Sequence, residues 1–68
     1  MRMFHLADPA ITDAVLARIS SVPVNPRRLV REASRDLQVE QLVIEGAIKT
    51  LMNRRLVIKN ADYDLVLA

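Results

Sequence analysis

The sequence predicts one small, mainly α-helical domain that ends in a short antiparallel β-hairpin, and three observations support this fold class. The chain has 68 residues, which make one domain and leave no room for a second. Apolar residues recur at helical spacing in three segments, and two of these segments begin with a capping residue followed by proline. The C-terminal residues change to short β-branched runs around a polar turn, which is typical of a hairpin.

The first helix is predicted to begin at Asp8-Pro9 and to end at Ser20-Ser21. The Asp8 carboxylate can accept the unpaired N–H groups of a first turn, and proline has no N–H group to lose there. Helical spacing relates the following residues of this segment: Ile11, Ala14, Val15, Arg18 and Ile19, with Leu16 beside them. The following segment, Val22-Pro23-Val24, is too short for a full strand, and we expect it to pair briefly at a sheet edge.

The second and third helices are predicted on both sides of a tight turn at residues 36–38. The second starts at Asn25-Pro26, which repeats the first start signal, and ends near Ser34 or Asp36. Its buried side is predicted to comprise Leu29, Val30, Ala33 and Leu37. The third runs from about Val39 to Asn53, with a buried side of Ile44, Ala47, Ile48, Leu51 and Met52. So short a junction suits a helix-turn-helix.

Residues 56–68 are predicted to form the hairpin, with apolar runs at 56–59 and 63–67. Asn60, Asp62 and Asp64 alternate like the first ligands of a calcium loop, but Leu65 occupies the position where that loop needs glycine. We therefore assign these polar residues to the hairpin turn. Residues 1–7 form an N-terminal extension, which we expect to pack on the domain because several of its residues are apolar: Met1, Met3, Phe4 and Leu6.

Composition argues against several classes of function. The chain has no cysteine and a single histidine, which excludes a disulfide framework and an ordinary zinc site. One glycine cannot build a glycine-rich phosphate loop, and no serine has an evident base beside it. We therefore predict no enzymatic activity, no cofactor, no metal and no small-molecule substrate. No run approaches the ~20 apolar residues of a membrane span, and the start lacks the features of a signal peptide, so we expect a cytoplasmic location.

The order helix, short extended segment, helix, turn, helix, hairpin resembles that of the winged helix-turn-helix superfamily over residues 10–67. Leu37-Gln38-Val39-Glu40 is similar to the turn that usually has the sequence Leu-Gly-Val-Ser. Asn53-Arg54-Arg55-Leu56-Val57 is similar to the usual Glu-Glu-Gly-Leu-Ile junction into the wing. Two departures are present, since Gln38 replaces the customary turn glycine and Arg54-Arg55 lacks the glycine before the wing. We expect Gln38 to adopt a different turn geometry.

The resemblance implies a recognition helix, the third, that enters the major groove of DNA. On this alignment its outward residues include Gln41, which suits adenine, and Lys49, which suits phosphate or guanine. Val43 is placed to touch a thymine methyl group, whereas Glu40 and Glu45 oppose the phosphate backbone as like charges. The favoured function is a non-enzymatic DNA-binding module, a small transcriptional regulator that binds double-stranded DNA.

Arginines of the second helix support binding to the DNA backbone. The formal net charge is +2, and Arg27, Arg31 and Arg35 recur every four residues. Arg28 joins Arg27 in the first turn, where we expect free N–H groups that also attract anions. We expect these four arginines to hold phosphates. Further contacts are expected at the base of the wing from Arg54, Arg55 and Lys59. The alternative is that Arg28 pairs with Glu32 while the other arginines are solvated.

A protein-interaction domain is the alternative function. Leu42, Val43 and Gly46 lie on the presumed recognition face, and the glycine allows another backbone to approach. Such a surface would dock a partner protein, or a second copy in a homodimer. The competing interpretation is that Leu42 and Val43 pack under the N-terminal extension.

Overall fold

The computed structural model describes residues 9–19 and 22–68. Three helices, α1 (Pro9–Ala17), α2 (Pro26–Leu37) and α3 (Gln41–Asn53), precede two strands, β1 (Val57–Lys59) and β2 (Leu65–Leu67). The strands pair antiparallel, with Val57 opposite Leu67 and Lys59 opposite Leu65. The predicted fold class is confirmed: the chain is mainly helical with a small β-hairpin, in an order consistent with a winged helix layout.

Helix α1 begins at Pro9 as predicted but ends earlier than expected. Its last helical residue is Ala17, after which Arg18 N donates to Val15 O and Ile19 N donates to Leu16 O, both at 3.0 Å. These three-residue hydrogen bonds tighten the chain and close the helix. The predicted end at Ser20-Ser21 lies outside the described residues, as do Asp8 and the N-terminal extension. Four residues of this segment are buried: Ile11, Thr12, Val15 and Ile19.

Helix α2 begins as the sequence predicts, because Asn25 caps it and Pro26 occupies its first turn. The Asn25 side-chain oxygen accepts a hydrogen bond from Arg28 N at 3.1 Å. The helix continues to Leu37, one residue past the predicted limit. Gln38 then ends it in the left-handed region (φ 56°, ψ 45°), and its N–H donates to Ser34 O. The expectation of a different turn geometry is wrong, because Gln38 adopts the conformation that glycine usually supplies.

Three hydrogen bonds that involve Ser34 stabilise the turn between α2 and α3. Besides the bond from Gln38, Val39 N donates to Ser34 O at 3.1 Å, and the Ser34 hydroxyl donates to Val39 O at 2.6 Å. Helix α3 starts at Gln41 and not at Val39, because Glu40 is still extended (φ −67°, ψ 150°) as its N-cap residue. Its buried residues are the predicted ones, with Met52 packed against the core from its edge: Ile44, Ala47, Ile48 and Leu51.

Helix α3 ends at Asn53, and a second left-handed residue, Arg55 (φ 60°), follows its C-cap residue Arg54. Arg55 N donates to Met52 O and Leu56 N donates to Leu51 O, both at 3.0 Å, which is the bond pair of a Schellman motif. Both junctions where the resemblance leads one to expect glycine therefore contain a left-handed residue with a long side chain.

Val24 forms an isolated antiparallel bridge with Leu65 at the edge of the hairpin, which confirms the predicted edge pairing. Val24 N donates to Leu65 O at 3.0 Å, and Leu65 N donates to Val24 O at 2.8 Å. In the turn, the Asn60 side-chain oxygen accepts bonds from Asp62 N at 2.9 Å and Asp64 N at 3.0 Å, as its predicted turn role requires. The bridge places the start of α2 beside the hairpin of residues 57–67, which we call the wing.

Candidate nucleic-acid interface

An open groove of about 530 Å³ lies between α2, α3 and β1. Its base is apolar, because the buried side chains of Val30 and Ile48 and the half-buried Met52 line it. Its exposed polar lining comes from all three elements: Arg27, Arg31, Gln41, Glu45, Lys49 and Lys59. The predicted recognition residues Gln41 and Lys49 are therefore in one groove with two of the predicted α2 arginines.

The groove is strongly basic, with four cationic side chains against the single carboxylate of Glu45. Within residues 9–19 and 22–68, the structure places none of these four cations in an ion pair. They are also exposed, so an anion can reach them without first displacing a protein carboxylate. The groove thus presents four exposed positive charges on one surface.

The four α2 arginines do not form one surface. Residues four apart on a helix are rotated by about 40° relative to each other, so a row at this spacing turns gradually around the axis. Arg27 and Arg31 line the groove, whereas Arg28 Nε pairs with Glu32 Oε2 at 3.0 Å and Arg35 Nε lies 3.6 Å from Asp36 Oδ1. The predicted pairing of Arg28 with Glu32 is present, and Arg28 and Arg35 lie outside the groove.

The carboxyl of Glu32 responds to this pairing. The hydrogen bond from Arg28 holds the pKa of Glu32 below its ordinary value of 4.5, and the charges of Arg28, Arg35 and Arg31 lower it further. Burial opposes these effects by raising the pKa. Glu32 is therefore the negative partner of the outer side of α2.

The N-terminus of α2 is not the open anion site that the sequence suggests. Pro26 has no N–H group, Arg28 N donates to the Asn25 side chain, and Leu29 N donates to Asn25 O at 2.9 Å. Among residues 26–29 of α2, Arg27 is the one whose N–H group has no partner. Anion binding at this end must therefore depend on the side chains.

The three cations predicted at the base of the wing do not lie together either. Lys59 lies opposite Leu65, and Leu65 bridges to Val24, so Lys59 comes close to the start of α2 and joins Arg27 in the groove. Arg54 and Arg55 are exposed at the other end of β1, after α3, and do not line the groove. The sequence predicted an edge pairing for residues 22–24 but not its partner, Leu65, and so it could not separate Lys59 from the two arginines.

Of the three residues predicted for docking a partner protein, only Leu42 is exposed. Leu42 is 62% exposed, whereas Val43 is half-buried and packs against the core, so the predicted contact of Val43 with a thymine methyl group is not favoured. Gly46 is half-buried, and its carbonyl oxygen accepts a bond from the Thr50 hydroxyl at 3.0 Å. Packing under the N-terminal extension lies outside the described residues.

Tyr63 at the tip of the wing was not predicted as a site residue. It lines an open depression of about 350 Å³ that it shares with Arg27 and Lys59, next to the groove. The sequence does contain a signal, because a single aromatic residue follows a polar turn. With one phenylalanine, one tyrosine and no tryptophan, however, the sequence offers no aromatic pattern that would single out Tyr63.

Among residues 9–19 and 22–68, no three His, Cys, Asp or Glu side chains are grouped so that they could hold a metal ion. None of the helices in this part of the chain has the length and apolar character needed to cross a bilayer.

Comparison with known proteins assigns no family. No protein-family model, curated protein or solved structure matches the chain. The case for a function therefore depends on the geometry and charge of the groove.

Proposed function

We propose that the chain is a non-enzymatic DNA-binding domain of the winged helix type, acting as a small transcriptional regulator in the cytoplasm. One observation carries the proposal: Arg27, Arg31, Lys49 and Lys59 come from three elements and line one groove without carboxylate partners. Duplex DNA presents closely spaced phosphates, and a protein that neutralises them releases counterions.

The two arginines and the two lysines have different roles in this mechanism. Arg27 and Arg31 bind phosphate oxygens in the two-pronged geometry of guanidinium, while Lys49 and Lys59 act as point charges. Gln41 is placed to pair with adenine, and Glu45 accepts from the cytosine amino group while repelling misplaced phosphates. Backbone contacts therefore supply most of the affinity, and Gln41 and Glu45 supply modest sequence preference.

The test is a salt titration of binding to a random-sequence duplex, followed by fluorescence anisotropy. Four phosphate contacts predict a log–log slope of about −3.6, and the double substitution Arg27→Ala with Arg31→Ala reduces its magnitude by about 2. The double substitution Arg28→Ala with Arg35→Ala is the matched control, since it removes the same charge from the same helix outside the groove. Equal losses in both pairs, or no binding at low salt, would contradict the proposal.

Protein interaction is the second candidate function, favoured by the exposure of Leu42 on the outer side of α3. In this case a partner protein or a second copy buries Leu42. If the occupant is a second copy, sedimentation of the wild-type domain shows a dimer. Leu42→Asp then gives a monomer with an unchanged circular dichroism spectrum. A wild-type monomer that also fails to bind DNA would leave only a separate partner protein as the occupant.

A further inference from the structure

Tyr63 is the most exposed of the large apolar side chains that the structure describes, at 74%. Its backbone is left-handed (φ 63°), which is an outlier for a bulky residue. Glycine or asparagine adopts this conformation at lower cost. The molecule therefore keeps an exposed ring at a position where a smaller residue would make a more stable turn.

The hairpin turn holds Tyr63 in this conformation. Tyr63 N donates to Asn60 O at 3.0 Å, and Asn60 N donates to Asp64 O at 2.9 Å. The Asn60 side chain adds its two bonds to the backbone of Asp62 and Asp64. These bonds hold the backbone of Tyr63 in the left-handed region, and backbone strain that is retained in this way indicates a function for the residue.

The surroundings of the ring suggest what it contacts. The depression beside it is lined by two cations, Arg27 and Lys59, and by two carboxylates, Asp62 and Asp64. The two carboxylates weaken the attraction for phosphate at the outer side of the wing tip, whereas the adjoining groove has four cations against one carboxylate. What remains at the tip is an aromatic face, and aromatic faces bind nucleic acid by stacking on bases.

We infer that Tyr63 stacks on an unpaired base next to the duplex held in the groove, so that the substrate is DNA with a bulge, a gap or a single-stranded end. This inference rests on the proposed function. In an intact duplex both faces of each base are covered by its neighbours, so an aromatic ring can stack only where a base is unstacked. Arg27 and Lys59 lie on the groove side of Tyr63 and bind the phosphates that flank this base.

The chain itself supplies a specific probe, because Tyr63 is its single tyrosine and it has no tryptophan. Intrinsic tyrosine fluorescence is measured while the protein is titrated with a short duplex, either uninterrupted or carrying one unpaired adenine. Stacking quenches the emission with the bulged duplex and leaves it nearly unchanged with the uninterrupted one. Anisotropy at the same salt gives about tenfold tighter binding to the bulged duplex.

Three variants separate the ring from the turn. Tyr63→Phe keeps the ring and retains the preference for the bulged duplex. Tyr63→Asn keeps a residue suited to the left-handed turn but removes the ring, so the preference disappears while the unfolding midpoint rises by a few degrees. Gln38→Gly relieves comparable backbone strain away from the wing, and it raises the midpoint without changing the preference.

The outcomes distinguish this inference from the function on which it rests. Equal affinity for both duplexes, or a preference that survives Tyr63→Asn, overturns the stacking inference and leaves DNA binding in place. No binding of either duplex overturns both.

Discussion

Three residues with long or bulky side chains adopt left-handed backbone in the described part of the chain: Gln38, Arg55 and Tyr63. This conformation costs a residue with a Cβ atom roughly 1–2 kcal/mol relative to glycine. Gln38 and Arg55 lie in the turns that follow α2 and α3, where left-handed glycine is the usual solution. These two positions therefore store avoidable strain in a small domain.

Gln38→Gly is expected to raise the free energy of unfolding by about 0.5–1 kcal/mol. The gain is smaller than the strain itself, because glycine also increases the entropy of the unfolded chain. Urea denaturation followed by circular dichroism measures it. The control is Glu45→Gly within α3, where the backbone is already helical and glycine lowers stability by about 1 kcal/mol. A loss of stability with Gln38→Gly would show that the glutamine side chain contributes more than its backbone strain costs.

Glu32 provides a prediction about pH. Because its pKa is lowered in the folded state, mainly by the Arg28 hydrogen bond, its stabilising contribution is present above the ordinary pKa of 4.5. The contribution is lost as the pH falls through the lowered folded-state value. Carbon-13 NMR titration of the Glu32 carboxyl is expected to show its pKa move upward in Arg28→Ala. Arg54→Ala, at the far end of α3, is expected to leave the pKa where it was, and an equal shift in both variants would refute the assignment.

At the scale of the elements, the α2–α3 turn depends on Ser34. Its carbonyl oxygen accepts the Gln38 and Val39 N–H groups, and its hydroxyl donates to Val39 O. The same residue therefore ends α2 and fixes the extended residues that lead into α3. This turn sets the angle at which the two walls of the groove meet.

Ser34→Ala is expected to lower the free energy of unfolding by about 1 kcal/mol, because the half-buried Val39 carbonyl loses its hydroxyl donor. Thermal unfolding followed by circular dichroism measures the change. Thr50→Ala is the control, since the Gly46 carbonyl that Thr50 contacts lies inside a helix and keeps its backbone bond. A Ser34→Ala variant no less stable than Thr50→Ala would mean that the turn is held by its backbone bonds alone.

Elements whose ends carry a local signal were predictable from the sequence. Asn25-Pro26 marks the start of α2 because the cap is a property of neighbouring residues. The start of α3 was placed two residues early, since Glu40 makes no side-chain cap bond and Val39 fits an apolar helical pattern equally well. Local patterns therefore locate a boundary where a side chain forms it, and miss it where the turn backbone does.

The site was less predictable, because it depends on which elements come together. Of the residues that the sequence predicts for DNA contact, Arg27, Arg31 and Lys49 line the groove. The sequence could not separate Arg28 and Arg35 from Arg27 and Arg31, because these arginines differ only by rotation around α2. Lys59 enters the groove through strand pairing, which is a property of the fold. Burial of Val43 likewise follows from the packing of α3 and not from its own residue type.

At the scale of the whole molecule, a single small core holds three helices and a hairpin. It comprises twelve buried apolar residues of the described chain, to which Val57 and Leu65 bring the hairpin. A chain of this length has a free energy of unfolding of roughly 3–10 kcal/mol, so one core contact is a large share of the total.

Ile44→Ala is expected to cost about 2–5 kcal/mol, because Ile44 is fully buried in α3 between the other elements. Urea denaturation is expected to show most of the domain's stability lost. Ile58→Ala is the control, since this side chain on β1 is 48% exposed and its truncation costs under about 1 kcal/mol. Similar losses for the two variants would mean that the hairpin face is covered in solution.

The Val24–Leu65 bridge has a consequence for the local opening of the wing. The bridge joins the start of α2 to β2, so a local opening that breaks it separates Arg27 from Lys59 and disassembles one end of the groove. A phosphate held by both side chains binds only the closed form and so shifts the equilibrium away from opening. Hydrogen exchange at the Leu65 amide then slows in proportion to the occupancy of the groove, which makes a single backbone proton a reporter of binding at the far side of the hairpin.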